Sequence, residues 1–311
     1  MELQTTGIHH ITAIVRHPQE NVDFYAGVLG LRLVKRTVNF DDPNTYHLYF
    51  GDENGAPGTI ITFFPWVNAY KGEIGDGQVG VTTYVVGEGA LPFWEERLKT
   101  KGIKTKKVTR FEETFLQFED VHGLQLEIVA RGEGKQNNWE FDGITTDVAI
   151  KGFGGAVLYT TDVEATAETL TAVMGLEKVA ENEEFLRFKS SGEIGNIIDV
   201  RKMSTGLGVM GVGTVHHIAW RTKDDAEQLK WQEHVQKHGH HVTEVRDRNY
   251  FNAIYFREHG KVLFEIATDP PGFAHDESSA SMGEKLMLPA QYEEDRQAIE
   301  KDLPKIEVRK V

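Results

Sequence analysis

Along this chain, apolar and polar residues alternate with a period of two in short runs, and after the first run of each group the period lengthens to that of a helix. The grouping recurs four times. The first unit predicts a strand over residues 8–15, a helix over 18–29 closed by Gly30, and strands over 31–40, 45–50 and 59–64. The second has a strand over 78–86, a helix over 91–101 and strands over 106–110, 114–118 and 124–129. The third runs through 154–161, a helix over 163–174, then 176–180, 185–189 and 196–201. The fourth runs through 215–221, a helix over 226–237, then 242–247, 252–257 and 262–267. Each unit reads as strand, helix, three strands, so the repetition predicts an α+β protein of four βαβββ modules. Gly30-Leu31 and Gly175-Leu176 end the helices of the first and third units, where glycine accepts a left-handed turn. The polar segment 131–151 divides the chain into a first pair of modules (1–135) and a second pair (136–268). Beyond Asp269-Pro270-Pro271-Gly272 the pattern stops, and a tail, 269–311, carries one helix over 290–301, stopped by Pro304.

Composition narrows the classes. The chain has 311 residues, 40% hydrophobic, and a formal charge of −14, which argues against a phosphate-tracking nucleic-acid surface. It has no cysteine, which excludes disulfides, thiolate zinc sites and Fe–S clusters and fits a reducing compartment. The start, Met1-Glu2-Leu3-Gln4, has neither a basic segment nor an apolar core of the signal-peptide kind. No apolar run approaches the roughly 20 residues that span a bilayer. The expectation is a soluble cytoplasmic protein without a membrane or nucleic-acid partner; edge strands could pair between chains, which leaves a homo-oligomer open.

The chemistry lies in a doublet that occurs twice. His9-His10-Ile11-Thr12 opens the first unit, His216-His217-Ile218-Ala219 opens the fourth, and Glu265 lies in the closing run Val262-Leu263-Phe264-Glu265-Ile266 of the fourth. Alternation puts neighbours on opposite faces of a strand. Ile11 and Ile218 suit the face beneath the helices. His10 is in phase with Thr12, and His217 with Ala219, small partners that leave room for a cavity. Glu265 is in phase with Leu263 and the small Ala267. Two imidazoles and one carboxylate are the ligand set of a non-haem Fe(II) site with open positions, a set Mn shares. One histidine on a strand is more often a satisfied polar residue; two doublets at equivalent places in a repeat, with a glutamate on the closing strand, favour a metal. Glu127 holds the place of Glu265 in the second unit, which opens with Val81-Thr82-Thr83 and has no histidine, so it reads as a relic or a solvated strand residue. His238, His240 and His241 surround Gly239 at a helix end, where they would interact with the helix C-terminus.

The repeat and these motifs, over residues 7 to about 268, resemble the vicinal-oxygen-chelate superfamily of glyoxalases, extradiol dioxygenases and bleomycin-resistance proteins. The resemblance implies two incomplete mixed β-barrels with external helices. Because the histidines lie in the first and fourth modules, these two would share the metal barrel, and the second and third would form a metal-free one. Within the superfamily the doublets most resemble hydroquinone-type ring-cleaving dioxygenases, including those of the Bacillus quinone-stress response. This implies Fe(II) on His10, His217 and Glu265 (Mn, Zn or Ni as alternatives), a small aromatic diol with O2 as substrates, and Arg248 and Tyr255 beside the substrate. A guanidinium there would stabilise a phenolate and a phenol would donate to it; the structural alternatives are a surface ion pair for Arg248 and barrel packing for Tyr255. The resemblance also places His9 and His216 near the substrate, whereas strand parity turns them away; a bulge would reconcile the two. Phe63, Phe64 and Trp66 could wall the pocket or be ordinary core, and the tail, anchored by Phe273, could cover the barrel mouth. Glyoxalase-type members supply a fourth ligand on the last strand of the other unit. Here that strand, Thr59-Ile60-Ile61-Thr62-Phe63-Phe64, offers no carboxylate or amide. The expected activity is extradiol-type ring cleavage; the competing readings are a glyoxalase-like isomerase or lyase and a non-catalytic protein that sequesters a small aromatic compound.

Overall fold

The computed structural model describes residues 3–311. The first module comprises β1 (Ile8–Val15), α1 (Pro18–Val22), β2 (Arg32–Asn39), β3 (Asp42–Gly51) and β4 (Ile60–Pro65). The second comprises β5 (Gln78–Val86), α2 (Leu91–Thr100), β6 (Lys106–Arg110), β7 (Glu113–Glu119) and β8 (Gln125–Ala130). The third comprises β9 (Gly152–Tyr159), α3 (Val163–Glu168), β10 (Glu177–Glu181), β11 (Phe185–Lys189) and β12 (Ile197–Arg201). The fourth comprises β13 (Thr214–Thr222), α4 (Asp225–Lys237), β14 (Arg246–Asp247), β15 (Phe251–Arg257) and β16 (Leu263–Pro271).

Among the described residues, sixteen strands form two curled eight-stranded sheets, ordered β14-β15-β16-β13-β1-β4-β3-β2 and β10-β11-β12-β9-β5-β8-β7-β6. Modules one and four therefore share one half-barrel pair, and modules two and three the other. In each sheet the first strands of the two modules run antiparallel at the centre (β1 with β13, β5 with β9), and each first strand pairs in parallel with its own module's last strand. Ile11, Ile61, Ile218 and Phe264 are fully buried in the core beneath the helices, so alternate residues of the same strands face the barrel interior.

Four elements differ from the sequence expectation. The helices over 18–29 and 163–174 both change from α to π part-way, at Asp23–Val28 and Thr169–Val173. The wider turns let Leu29 N–H reach Phe24 O and Met174 N–H reach Thr169 O, each at 2.9 Å, just before Gly30 (φ 66°) and Gly175 (φ 75°) reverse the chain. The strand expected over 242–247 shrinks to Arg246–Asp247 plus a single bridge from Val242 to Phe256. The Thr243 hydroxyl takes the Tyr255 N–H at 3.0 Å, so a side chain replaces a ladder bond. The tail helix begins as a 3-10 turn, Ala290–Asp295, before α5 (Arg296–Asp302).

The tail leaves β16 and buries Phe273 between the rings of Tyr49 and Tyr250, centroids 5.0 and 5.1 Å away. Lys35, fully buried on β2, binds Asp276 at 2.6 Å and Glu277 at 2.5 Å, and Met287 N–H bonds Arg36 O at 2.9 Å. The tail thus covers the β2 edge, a position that would otherwise invite pairing with another chain, and lines none of the cavity described below. No described helix is long and apolar enough to cross a membrane.

The second half-barrel pair corrects the reading of Glu127. It is not solvated: it is fully buried, accepts from Thr83 Oγ1 at 2.7 Å, and pairs with Arg110 at 2.5 Å. Arg110 also holds Asp199 at 2.5 Å, which Arg187 grips from the other side at 2.7 Å. At the rim, Glu113 receives Arg131 at 2.6 Å and also Arg187. Burial pushes the Glu113 carboxyl up, but the two guanidinium groups outweigh it and hold it below the usual 4.5. A depressed folded value contributes stability that is present above the unfolded value and lost as pH falls through the folded one. Stability should therefore decline as pH drops below 4.5, and Glu113→Gln should flatten part of that decline in urea midpoints taken down the acid limb.

Candidate metal centre

Each histidine doublet sits on a β-bulge between β1 and β13. Ile8 faces Trp220 and His10 faces Ala219, leaving His9 as the extra residue; Thr12 faces His217 and Ala13 faces Val215, leaving His216 as the extra residue. A bulge breaks alternation, so both members of a doublet approach the same region. His9 Nδ1 lies 2.9 Å from His10 Nδ1, and His216 Nδ1 lies 2.7 Å from His217 Nδ1. With Nδ1 engaged in this way, Nε2 of His10 and of His217 both turn inward.

They converge on Glu265. His217 Nε2 is 2.8 Å and His10 Nε2 3.4 Å from Glu265 Oε2, and the two Nε2 atoms are 3.4 Å apart. Ligand atoms about 2.1 Å from one divalent ion lie about 3.0–3.4 Å apart, which these distances bracket. Glu265 is fully buried and neither of its oxygens has a partner in good hydrogen-bond geometry. An unpaired carboxylate in that position is costly, and a cation between it and two imidazole lone pairs removes the cost. The donor set and its spacing therefore fit a divalent metal. Burial would raise the Glu265 carboxyl, but His10 and His217 outweigh it and hold it well below the ordinary range. Burial lowers His217, and lowers His9 well below its ordinary value; burial and then His217 push His216 down to about 3. His9 and His216 are therefore neutral at pH 7. No other cluster of three metal-ligating side chains occurs among the described residues.

The register shows what the fourth position holds. On β13 and β16, Ala219, two residues after His217, faces Glu265; on β1 and β4, Thr12, two residues after His10, faces Thr62. Thr62 thus stands at the place related to Glu265 by the internal two-fold. Its hydroxyl is taken by Thr12 Oγ1 at 3.0 Å and His47 Nε2 at 2.7 Å.

A cavity of about 430 Å³ opens over the three residues, within the usual range for small-molecule sites. His10, His217, Glu265, His216, Tyr255 and Arg248 all line it. His9 does not: it is buried behind His10 and packs on Phe251, 5.3 Å between centroids. Arg248 occupies the turn after β14, not a strand, and donates from Nε to the Tyr255 hydroxyl at 3.3 Å. Its own ion pair, to the exposed Asp41, is long at 3.7 Å. Burial raises the Tyr255 phenol, which stays protonated. The aromatic run splits by parity. Phe64 and Trp66 line the cavity with stacked rings 5.6 Å apart, while Phe63 is core against Tyr25. Of the histidines near Gly239, His238 Nδ1 bonds the His234 carbonyl oxygen at the end of α4, 2.9 Å away, whereas His240 is buried against Phe256 and His259.

Sequence reasoning missed His47 and Tyr49, neighbours in phase on β3 that line the opposite wall, with His47 Nδ1 2.9 Å from the Tyr49 hydroxyl. Their alternation along the 45–50 run was the available signal.

A sequence model of the glyoxalase/bleomycin resistance protein/dioxygenase superfamily matches residues 7–128 and again 152–274. The chain belongs to this superfamily. The two matches fall on either side of the polar linker, as two βαβββ pairs in tandem require. Among curated members of the superfamily, MhqO of Bacillus subtilis (strain 168), named as a candidate ring-cleaving dioxygenase, is 63% identical over 311 residues, covering 100% of both chains. The chlorohydroquinone/hydroquinone 1,2-dioxygenase of Sphingobium indicum is 32% identical over 297 residues, covering 92% of each. A crystal structure of a candidate dioxygenase from Bacillus subtilis subsp. subtilis str. 168, 63% identical, superposes with a TM-score of 0.99 over 100% of both chains. Glyoxalase I from Zea mays shares the fold, with a TM-score of 0.63 at 12% identity over 85% of this chain and 92% of that one.

Proposed function

We propose that this chain is an Fe(II)-dependent, extradiol-type ring-cleaving dioxygenase that acts on a hydroquinone or catechol with O2. The observation that carries the reading is a three-donor cluster whose fourth, two-fold-related position is a threonine already committed to Thr12 and His47. Three protein ligands suit dioxygen chemistry; the missing fourth weighs against a glyoxalase-type isomerase. A protein that only sequesters an aromatic compound has no need of a buried, unpartnered carboxylate between two imidazoles. The names of the relatives, ring-cleaving dioxygenase and hydroquinone 1,2-dioxygenase, support the same reaction class.

His10, His217 and Glu265 would hold the iron. When bound, it supplies a redox-active Lewis acid with open adjacent coordination positions, the chemistry that joins O2 to an electron-rich ring. The remaining roles belong to the protein. Phe64, Trp66 and Phe251 exclude water and present flat faces to an aromatic ring. Tyr255, whose oxygen accepts from Arg248, has its own O–H free to donate to a phenolate oxygen. Arg248 adds positive charge at that end of the cavity. His216, whose Nδ1 accepts from the Nδ1–H of a metal-bound His217, carries its proton on Nε2 and can donate it to a substrate oxygen. His9 orients His10 from behind, as partners of metal-bound imidazoles do.

The test is anaerobic purification with iron, metal analysis, and O2 uptake with hydroquinone and catechol. Stoichiometric iron with O2 consumed in step with ring loss is the expected result. Bound metal with no uptake on either diol, but turnover of a hemithioacetal, would replace the dioxygenase reading with the isomerase one.

A further inference from the structure

The internal two-fold that relates Thr62 to Glu265 also relates two tyrosines. On β3 and β4, Tyr49 faces Thr62; on β15 and β16, Tyr255 faces Glu265. Strands β3 and β15 flank the central strands from opposite sides, and both phenols line the same cavity. The cavity therefore presents one tyrosine from each wall.

Their hydrogen bonds differ in polarity. Tyr255 accepts from a guanidinium, which can only donate, so its O–H points elsewhere as a donor. Tyr49 meets Nδ1 of a neutral imidazole whose Nε2 faces Thr62, and Thr62 faces Thr12. When His47 donates from Nε2 to Thr62 and Thr62 donates to Thr12, His47 Nδ1 is an acceptor. Tyr49 then donates to it, and the Tyr49 oxygen is left with lone pairs toward the cavity. In that tautomer one wall offers a donor and the other an acceptor.

That pair of walls matches a ring with an ionised oxygen at one end and a protonated hydroxyl at the other. A 1,4-diol bound as its monoanion has this shape; a catechol carries both oxygens on one side. We propose that Tyr49 and His47 form the subsite for the distal, protonated hydroxyl of a 1,4-diol, with His47 as the positioning residue that keeps Tyr49 an acceptor. The assignment rests on the reading above that the ligand is an aromatic diol, and it selects hydroquinones over catechols within that reading.

The experiment compares anaerobic binding of hydroquinone and 4-methylphenol, in which a methyl group replaces the distal hydroxyl, to the full-length, iron-loaded protein. Wild type should favour hydroquinone by about fivefold, the worth of one neutral hydrogen bond. Tyr49→Phe, which keeps the ring, should bring the ratio close to one, as should His47→Phe; His47→Gln, whose amide oxygen can still accept from Tyr49, should restore most of it. Tyr255→Phe should weaken both ligands alike. A ratio that survives Tyr49→Phe, or a wild type that does not discriminate, overturns the assignment even if O2 is consumed. Wild type that shows the selectivity, lost in Tyr49→Phe, but consumes no O2 with any diol would keep the subsite and sink the dioxygenase reading.

Discussion

His217→Ala and Glu265→Gln are each expected to abolish stoichiometric metal binding and, with it, O2 consumption. The loss should exceed about 100-fold in metal affinity, because even the groups that merely orient a ligand are worth about 10–100-fold. Glu265→Gln is the more informative variant. Glutamine keeps the shape of a fully buried side chain and removes the one negative charge that faces the two Nε2 atoms. Metal added to wild type stabilises the fold by binding only the native state, so its thermal midpoint should rise with metal concentration. In Glu265→Gln that rise should vanish, because the charge that faces the two Nε2 atoms has been removed. A variant that still melts higher with metal would place the ion elsewhere. His9→Leu should retain metal with reduced affinity, since His9 touches His10 only through Nδ1.

The module pattern was legible because strand alternation and helix period are local properties, and each module repeats them. Grouping the first module with the fourth followed from where the doublets lie, and the sheet order agrees. The triad residues were legible because the doublet recurs at equivalent places, and the structure brings those three side chains together. What resisted reading depends on contacts between distant segments. Parity misplaced His216, which lines the cavity, because its strand bulges where β13 meets β1, a pairing invisible from either segment alone. His47 carries no repeat signal; it becomes a site residue only when β3 curls round to face β15. Glu127 looked idle because its module opens without a histidine, whereas its partner is a guanidinium on β6. The strand over 242–247 failed because the Thr243 hydroxyl substitutes for a backbone group.

Arg110→Leu is expected to cost about 3–5 kcal/mol in urea unfolding, the range for removing one partner of a buried ion pair. Register explains the size. On the central strands of the second sheet, Thr83 faces Gly155 and Val81 faces Val157, matching Thr12 with His217 and His10 with Ala219 in the first. Val81 and Gly155 therefore hold the places of His10 and His217. Glu127, opposite Thr83, holds that of Thr62, and Asp199, opposite Val157, holds that of Glu265. The second sheet keeps two carboxylates at the closing-strand positions and has no imidazole to join them. Arg110 bridges the pair, 2.5 Å from each, with its guanidinium 4.0 Å from the centre of the Phe115 ring. The same requirement, a cation between buried carboxylates and their neighbours, is met by an arginine in one barrel and, in our reading, by a metal in the other. Leucine at 110 fills the apolar volume but leaves Glu127 without a cation and Asp199 with Arg187 alone. Metal content should stay at the wild-type level, because the other barrel keeps all three donors. A loss below about 1 kcal/mol would mean that water reaches Glu127 once the arginine is gone, and that the network is worth no more than a surface pair.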